Sequence, residues 1–266
     1  MKKILLFAVL ALVAAGCDQG KKGELVTENY SIVDSVLLRD YVKTIPENSA
    51  AKCSVEYDVD LPVGKEFKPL RDSVLTWLIG YSAYDGTDTL AIRNDVKNTL
   101  DSYVEEYSSI ASESEDYEEF WDMMYTNEFN MRGYFLPELA AKDIICYEID
   151  TYSYLGGAHG FPGSVYFPLY KSTLETVLLT DFIPEEYNET LLYYLYEKFK
   201  EEEYDTDYLG DTAGLWTENV YYTEDGITFS YQPYAVAPYC DGIVELSLTW
   251  DEIDEMLSKD PVQFVG

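Results

Sequence analysis

Residues 144–169 read IICYEIDTYSYLGGAHGFPGSVYFPL, and the way this stretch turns back on itself decides the fold. Ile144 to Tyr154 is a long strand pattern rich in Ile and Tyr, and Val165, Phe167 and Leu169 alternate in the strand after it. Between them lies Ser153 to Gly163, SYLGGAHGFPG, which carries four glycines and a proline. A connection this short joins neighbouring strands as a wide hairpin, so the pair is expected to be antiparallel.

The same loop holds His159, the single histidine of the 266 residues. Its simplest role is to close the loop. Glycines admit the positive φ that a sharp turn needs, and an imidazole can donate to one backbone carbonyl while accepting from an N–H. Catalysis is harder to assemble around it. A hydrolytic metal centre usually takes three protein ligands with His prominent, and no second histidine exists to supply one. Ser153 and Ser164 are nearby in sequence, but no Gly-x-Ser-x-Gly elbow occurs. A glycosidase needs only two suitably spaced carboxyls, and among 50 acidic residues such pairs arise by chance. No catalytic residue, metal ligand or cofactor is therefore assigned.

Outward from the hairpin, Cys53 to Leu61 (CSVEYDVDL) alternates cleanly, which marks a half-buried strand with Tyr30 to Leu38 as its partner. Helical spacing follows over Phe67 to Ile79, Asp95 to Ile110 and Tyr117 to Phe129, the last with Phe120, Trp121 and Met124 as its apolar stripe. Beyond the hairpin comes a helix from about Glu185 to Lys200 with Tyr187, Leu191, Leu195 and Phe199 on one face. Strand patterns at Ile227–Tyr231 and Val244–Leu248 follow, and Thr249-Trp250-Asp251-Glu252 is a capping box that should open a terminal helix reaching Leu257. Strands and helices occur in blocks, so the expected class is α+β with largely antiparallel sheets and packed helices. The change of character near Lys142 suggests two consecutive α+β subdomains, residues 25–141 and 142–266.

The N-terminus begins Met1-Lys2-Lys3, runs through apolar residues from Ile4 to Ala15, and reaches Ala14-Ala15-Gly16-Cys17. The run is too short to span a bilayer, and small residues before a cysteine suit a signal peptidase. Residues 1–16 are read as a lipoprotein signal peptide, Cys17 as the lipid-attachment residue, and residues 17–24 as the lipidated cysteine with its tether. The expected location is the bacterial cell envelope, anchored by lipid to the inner or outer membrane and facing periplasm or exterior. Two acyl chains make such anchoring stable.

Formal charge is −32, and loss of Lys2 and Lys3 with the signal would leave 16 basic against 50 acidic groups, a net −34. Nucleic acid is excluded as a partner, because phosphate binding needs a basic face. Acidic runs at Glu113–Glu119 and Glu201–Asp207 read as solvated faces or helix ends. A charge this large also attracts cationic partners. Cys53, Cys146 and Cys240 lie in apolar strand-like contexts and can form at most one disulfide with one another, so buried free thiols are as good a reading. Tyrosine is abundant at 26 residues and suits half-buried strands and recognition surfaces alike.

Three stretches together resemble the RsiV-like family of bacterial extracytoplasmic domains. They are Tyr152–His159 (YSYLGGAH), Leu178–Phe182 (LLTDF) ahead of a helix, and Ile227–Gly242 (ITFSYQPYAVAPYCDG). The likeness covers roughly residues 144–257, and the N-terminal half is similar, more weakly, to the companion domain found there and in the peptidoglycan deacetylase PdaC. In the family's namesake this outer domain binds lysozyme. The resemblance thus implies a non-enzymatic, lipid-anchored envelope protein that binds a cationic, lysozyme-like protein or a cell-wall component. It transfers neither sigma-factor signalling nor deacetylation, since the residues that carry those lie outside the resembling stretches. The alternatives are an envelope hydrolase acting on peptidoglycan or glycan through acidic residues and His159, and a structural accessory of an envelope complex. The candidate ligand-binding residues are Tyr154, Gly156, Gly157, His159, Phe161, Tyr234 and Tyr239.

Overall fold

A computed structural model of the chain describes residues 25–37, 40, 52–79, 88–113, 126–136, 143–154 and 158–259. The signal peptide, Cys17 and the tether lie outside the described residues, as do Gly156, Gly157 and the Phe120–Trp121–Met124 stripe.

The first sheet has five strands, β1 (Thr27–Leu37), β2 (Lys52–Pro62), β3 (Thr126–Phe135), β4 (Ile144–Tyr154) and β5 (Phe161–Tyr170), in the order β1-β2-β3-β4-β5. β4 and β5 pair antiparallel with Ser153 opposite Phe161, as the hairpin reading requires. β1 pairs antiparallel with β2, which confirms the partner expected for Cys53 to Leu61. β2 and β3 are parallel, with Lys52 opposite Thr126. A parallel neighbour needs a long crossover, and the helices α1 (Lys68–Ile79) and α2 (Asp88–Glu113) lie in that connection.

Period-two alternation then sorts the two faces of this sheet. Val55, Tyr57, Val59, Ile145, Tyr147 and Ile149 share one core with Leu70, Val74 and Leu78 of α1 and Ile92, Val96 and Leu100 of α2. Tyr57 reaches through that core to α2, where its hydroxyl donates to Asp95 Oδ2 at 2.7 Å. The opposite face of β4 presents Cys146, Glu148 and Asp150.

Beyond β5, α3 (Asn188–Glu201) packs Leu191, Leu195 and Phe199 onto a second core. A four-residue helix α4 (Thr206–Leu209) follows, N-capped by Asp205, whose carboxylate accepts from the backbone N–H groups of Asp207 and Tyr208. The acidic run from Glu201 is thus a helix end and a cap. The second sheet is β6 (Val220–Tyr222), β7 (Gly226–Tyr231) and β8 (Val244–Thr249), antiparallel throughout. Phe182 is fully buried against Tyr222 and Trp250, which gives LLTDF a packing role. The result is an α+β protein with two antiparallel-rich sheets.

Three local expectations are corrected. Residues 126–129, placed at the end of a helix, belong to strand β3. Phe129, Met131, Gly133 and Phe135 alternate there, but the third position is glycine because the Tyr147 hydroxyl occupies the space: a Cβ would sit 2.3 Å from it. That gap hides the alternation. The terminal helix is the second correction. The capping box does form, with Thr249 N–H donating to Glu252 Oε2 at 2.7 Å and Glu252 N–H to Thr249 Oγ1 at 3.2 Å. Only turns follow, ending in a 3-10 turn at Asp254–Met256, because Ser258 is drawn away to donate its backbone N–H to Phe182 O at 2.7 Å. Third, Cys240 is exposed in a 3-10 turn, whereas Cys53 and Cys146 are buried thiols. Burial pushes the Cys53 thiol up to about 11 and raises Cys146 as well.

The sheet also crosses the expected subdomain boundary, since β3 and β4 pair from Glu128 opposite Tyr154 to Phe135 opposite Tyr147. Covalent order and core membership therefore divide the chain differently: Ile145, Tyr147 and Ile149 pack with the N-terminal helices.

Candidate functional site

The hairpin end of β4 and β5 meets the segment between β7 and β8. Gln232-Pro233-Tyr234-Ala235 forms a turn closed by Ala235 N–H donating to Gln232 O at 2.9 Å. Proline at the second position and positive φ at the third are the marks of a type II turn, where Gly or Asn is usual. Here the third residue is Tyr234 with φ of 68°. Val236 and Ala237 are buried in the second core, so the segment is anchored by its middle. A 3-10 turn at Tyr239–Asp241 and Gly242, with φ of 70°, then return the chain to β8.

This anchoring brings four of the candidate residues together. The His159 ring stacks on Tyr239 with centroids 3.7 Å apart and planes 19° from parallel. Tyr239 stands 5.5 Å from Tyr234, and Tyr234 lies 6.5 Å from Phe161 at 18°. His159 Nδ1 is 3.2 Å from Gly160 O, and the Tyr239 hydroxyl donates to the same carbonyl at 2.5 Å. One backbone oxygen thus fastens both rings. His159 makes the carbonyl half of the loop-closing arrangement. Ser164, its nearby potential nucleophile, gives its hydroxyl to Glu148.

The rim of this cluster is open. Phe161 is 43% exposed and Tyr234 51%. Tyr154 is half-buried at the end of β4, opposite Glu128, and is not among the stacked rings. Gly156 and Gly157 lie outside the described residues.

Two residues that sequence reasoning left unassigned hold the site in place. Gln232 clamps the backbone of Ser164 on β5, accepting from its N–H at 3.2 Å and donating to its carbonyl at 2.5 Å. Asn219 accepts from Tyr166 N–H at 2.9 Å and donates to Ser164 O at 3.0 Å. The two amides stand in for a sixth strand along the edge of β5, which would otherwise expose unpaired backbone groups. Gly160 completes the packing, since a Cβ there would lie 2.3 Å from the Tyr152 ring. Gln232 lies within one of the stretches that carry the family resemblance, but its partner Ser164 is 68 residues away.

Among the described residues no group of His, Cys, Asp or Glu is arranged to hold a metal ion. A surface hollow of about 400 Å³ is lined by Asn98, Thr99, Ser102, Tyr103 and Glu106 of α2 and contains none of the rim residues.

Fold and site together define a two-sheet α+β protein that displays a small aromatic platform on its surface. Residues 180–251 match a family described as "Protein of unknown function (DUF3298)". A DUF3298 family member from Bacteroides fragilis NCTC 9343 superposes with a TM-score of 0.71 at 20% identity, over 90% of this chain and 96% of that one. A second, from Pseudomonas aeruginosa PAO1, gives a TM-score of 0.56 at 17% identity, over 92% of this chain and 98% of that one. At these identities the likeness is one of fold. No curated protein matches the chain.

Proposed function

We propose that this chain is a lipid-anchored, non-enzymatic cell-envelope protein that binds a cationic protein through the aromatic rim of Phe161, Tyr234 and Tyr239. The observation that carries the reading is Tyr234. It is a non-glycine residue held at positive φ in a turn that favours glycine, and half of it is exposed. A left-handed backbone costs an ordinary residue about 1–2 kcal/mol, and retained strain of this kind gathers at functional positions. Exposed aromatic faces attract Lys and Arg side chains, and the −32 charge of the chain draws a basic partner toward them. The RsiV-like resemblance points to a lysozyme-like partner, and the sequence before Cys17 supports the anchor.

Isothermal titration of the soluble chain with lysozyme and with soluble peptidoglycan fragments, at low and physiological salt, tests this. Lysozyme is expected to bind, with Phe161→Ala and Tyr234→Ala each weakening it about tenfold, the equivalent of about 1.4 kcal/mol. Binding of peptidoglycan alone would replace the cationic partner by a glycan. Binding of neither would end the proposal.

A further inference from the structure

The second sheet carries a hollow on the face turned away from its core. Tyr222, Ile227, Phe229, Leu246 and Leu248 belong to the second core, so period-two alternation puts Tyr221, Thr228, Ser247 and Thr249 on the other face. Register lines these residues up: Tyr221 stands opposite Thr228, Thr228 opposite Ser247, and Gly226 opposite Thr249. Gly226 brings no side chain to this face, and a space of about 290 Å³ opens among Tyr221, Asp225, Gly226, Thr228 and Ser247. Thr228, 4% exposed, forms its floor. The volume stands at the lower end of small-molecule sites and has room for one ring-sized ligand.

Hydrogen-bond accounting separates the groups at this hollow that are spent from those that are free. Thr223 Oγ1 accepts from the backbone N–H groups of Asp225 at 3.1 Å and Gly226 at 3.0 Å, and donates to Gly226 O at 3.4 Å. Thr249 Oγ1 donates to Glu252 Oε2 at 2.9 Å and accepts from Glu252 N–H at 3.2 Å. Both threonines are therefore occupied by the turns they close. The Thr228 and Ser247 hydroxyls lie 2.8 Å apart, and one hydrogen serves that bond. The pair keeps a second hydroxyl hydrogen and spare lone pairs to offer. Among the described residues no Lys or Arg pairs with Asp225, and its carboxylate takes no hydrogen bond. Tyr221 adds an aromatic ring, packed 4.5 Å from the Tyr166 ring and tethered by its hydroxyl to Glu245 at 3.4 Å.

We propose that this hollow is a saccharide-binding site for one neutral sugar ring, whose hydroxyls donate to Asp225 and exchange hydrogen bonds with the Thr228–Ser247 pair while its C–H face lies against Tyr221. The chemistry of the lining selects this class. An anionic ligand meets one carboxylate and no Lys or Arg, on a chain of net charge −32. An apolar ligand would strand the carboxylate and the hydroxyls without partners. A bare cation satisfies Asp225 but leaves the free hydroxyl hydrogen with nothing to accept it. A sugar supplies both donors and acceptors along a ring edge and an apolar face beside it, which is what a carboxylate, two hydroxyls and an aromatic ring can take up together. The hollow contains none of Phe161, Tyr234 and Tyr239, so this site does not rest on the aromatic rim.

Nitrogen-15 NMR of the soluble chain, titrated separately with methyl glucoside, glucuronate and protonated glucosamine, tests the site. Methyl glucoside is expected to shift the amides of Thr228 and Ser247 with a Kd of the order of millimolar, as a ligand of this size on an open hollow allows. Glucuronate should bind about tenfold more weakly or not at all. Asp225→Ala removes an exposed side chain that carries no fold contact and should weaken methyl glucoside about tenfold, whereas Glu224→Ala, exposed on the same turn and outside the lining, should leave it unchanged. Should Asp225→Ala not fold, Ser247→Ala takes its place, with an expected weakening of about fivefold. Failure of methyl glucoside to shift these amides, an affinity that both variants leave untouched, or binding of glucosamine alone would overturn the proposal. Shifts confined to Phe161 and Tyr234 would move the sugar to the rim and overturn this site as well. Loss of lysozyme binding in the rim variants with methyl glucoside binding intact would show the two sites to be separate.

Discussion

Tyr234 is an aromatic residue at which positive φ and exposure coincide. A type II turn is built for glycine at its third position, and the chain places a large aromatic ring there and leaves it half exposed. Replacing it with glycine removes the strain and the ring at once. Tyr234→Gly is therefore expected to hold wild-type stability within about 1 kcal/mol, the relief offsetting the entropy that glycine adds to the unfolded chain. The same variant should lose most of its lysozyme affinity. Urea denaturation and calorimetry on one preparation check both halves. A variant that unfolds easily would mean that the ring serves packing. His159 shows the opposite economy. The isolated imidazole invites a catalytic reading, yet it stacks on Tyr239 and leans on the Gly160 carbonyl, which is work for a loop.

Elements show how far periodicity carries. The β4–β5 hairpin is legible because Ile144 to Tyr154 and Val165 to Leu169 keep their patterns and the glycines lie between. Strand β3 is not, because its alternation passes through Gly133, whose missing side chain is explained only by Tyr147 on the next strand. The turn after Thr249 carries a correct capping signal and still makes no α-helix, since hydrogen bonds from Ser258 to Phe182 and Asp181 take the chain elsewhere. A glycine tests the second sheet. A Cβ on Gly226 would lie 2.0 Å from the backbone oxygen of Leu248, and a backbone cannot swing aside as a side chain can. Gly226→Ala is expected to cost about 3 kcal/mol by urea denaturation, at the upper end of overpacking penalties. At Gly210 nothing lies within 4 Å of where a Cβ would stand, but φ is 69°. Gly210→Ala should therefore show a smaller loss, arising from backbone conformation alone.

For the whole molecule, charge is the governing quantity. A net −32 repels itself in the folded state more than in the expanded one, so salt should stabilise the chain. Raising sodium chloride from about 10 to about 150 mM, a shift in screening length from roughly 30 to 8 Å, is expected to raise the melting temperature while weakening any cationic partner's affinity. Opposite signs for the two effects separate folding from binding. A partner whose affinity ignored salt would be held by apolar contact and not by charge.

Sequence alone determined the class of fold, the hairpin, the helix faces and the acidity, because each is written in local period or in composition. The anchor at Cys17 and the cationic partner were also read there, and they remain proposals. Tertiary structure decided the rest. It drew β3 and β4 into one sheet across the expected boundary, set Gln232 and Asn219 along the edge of β5, stacked His159 on Tyr239, and set the Tyr166 hydroxyl of β5 against Glu245 of β8. The physical reason is the same in each case. Such contacts join residues far apart in sequence, so no local period records them, and only the packing of one element on another brings them within hydrogen-bond reach.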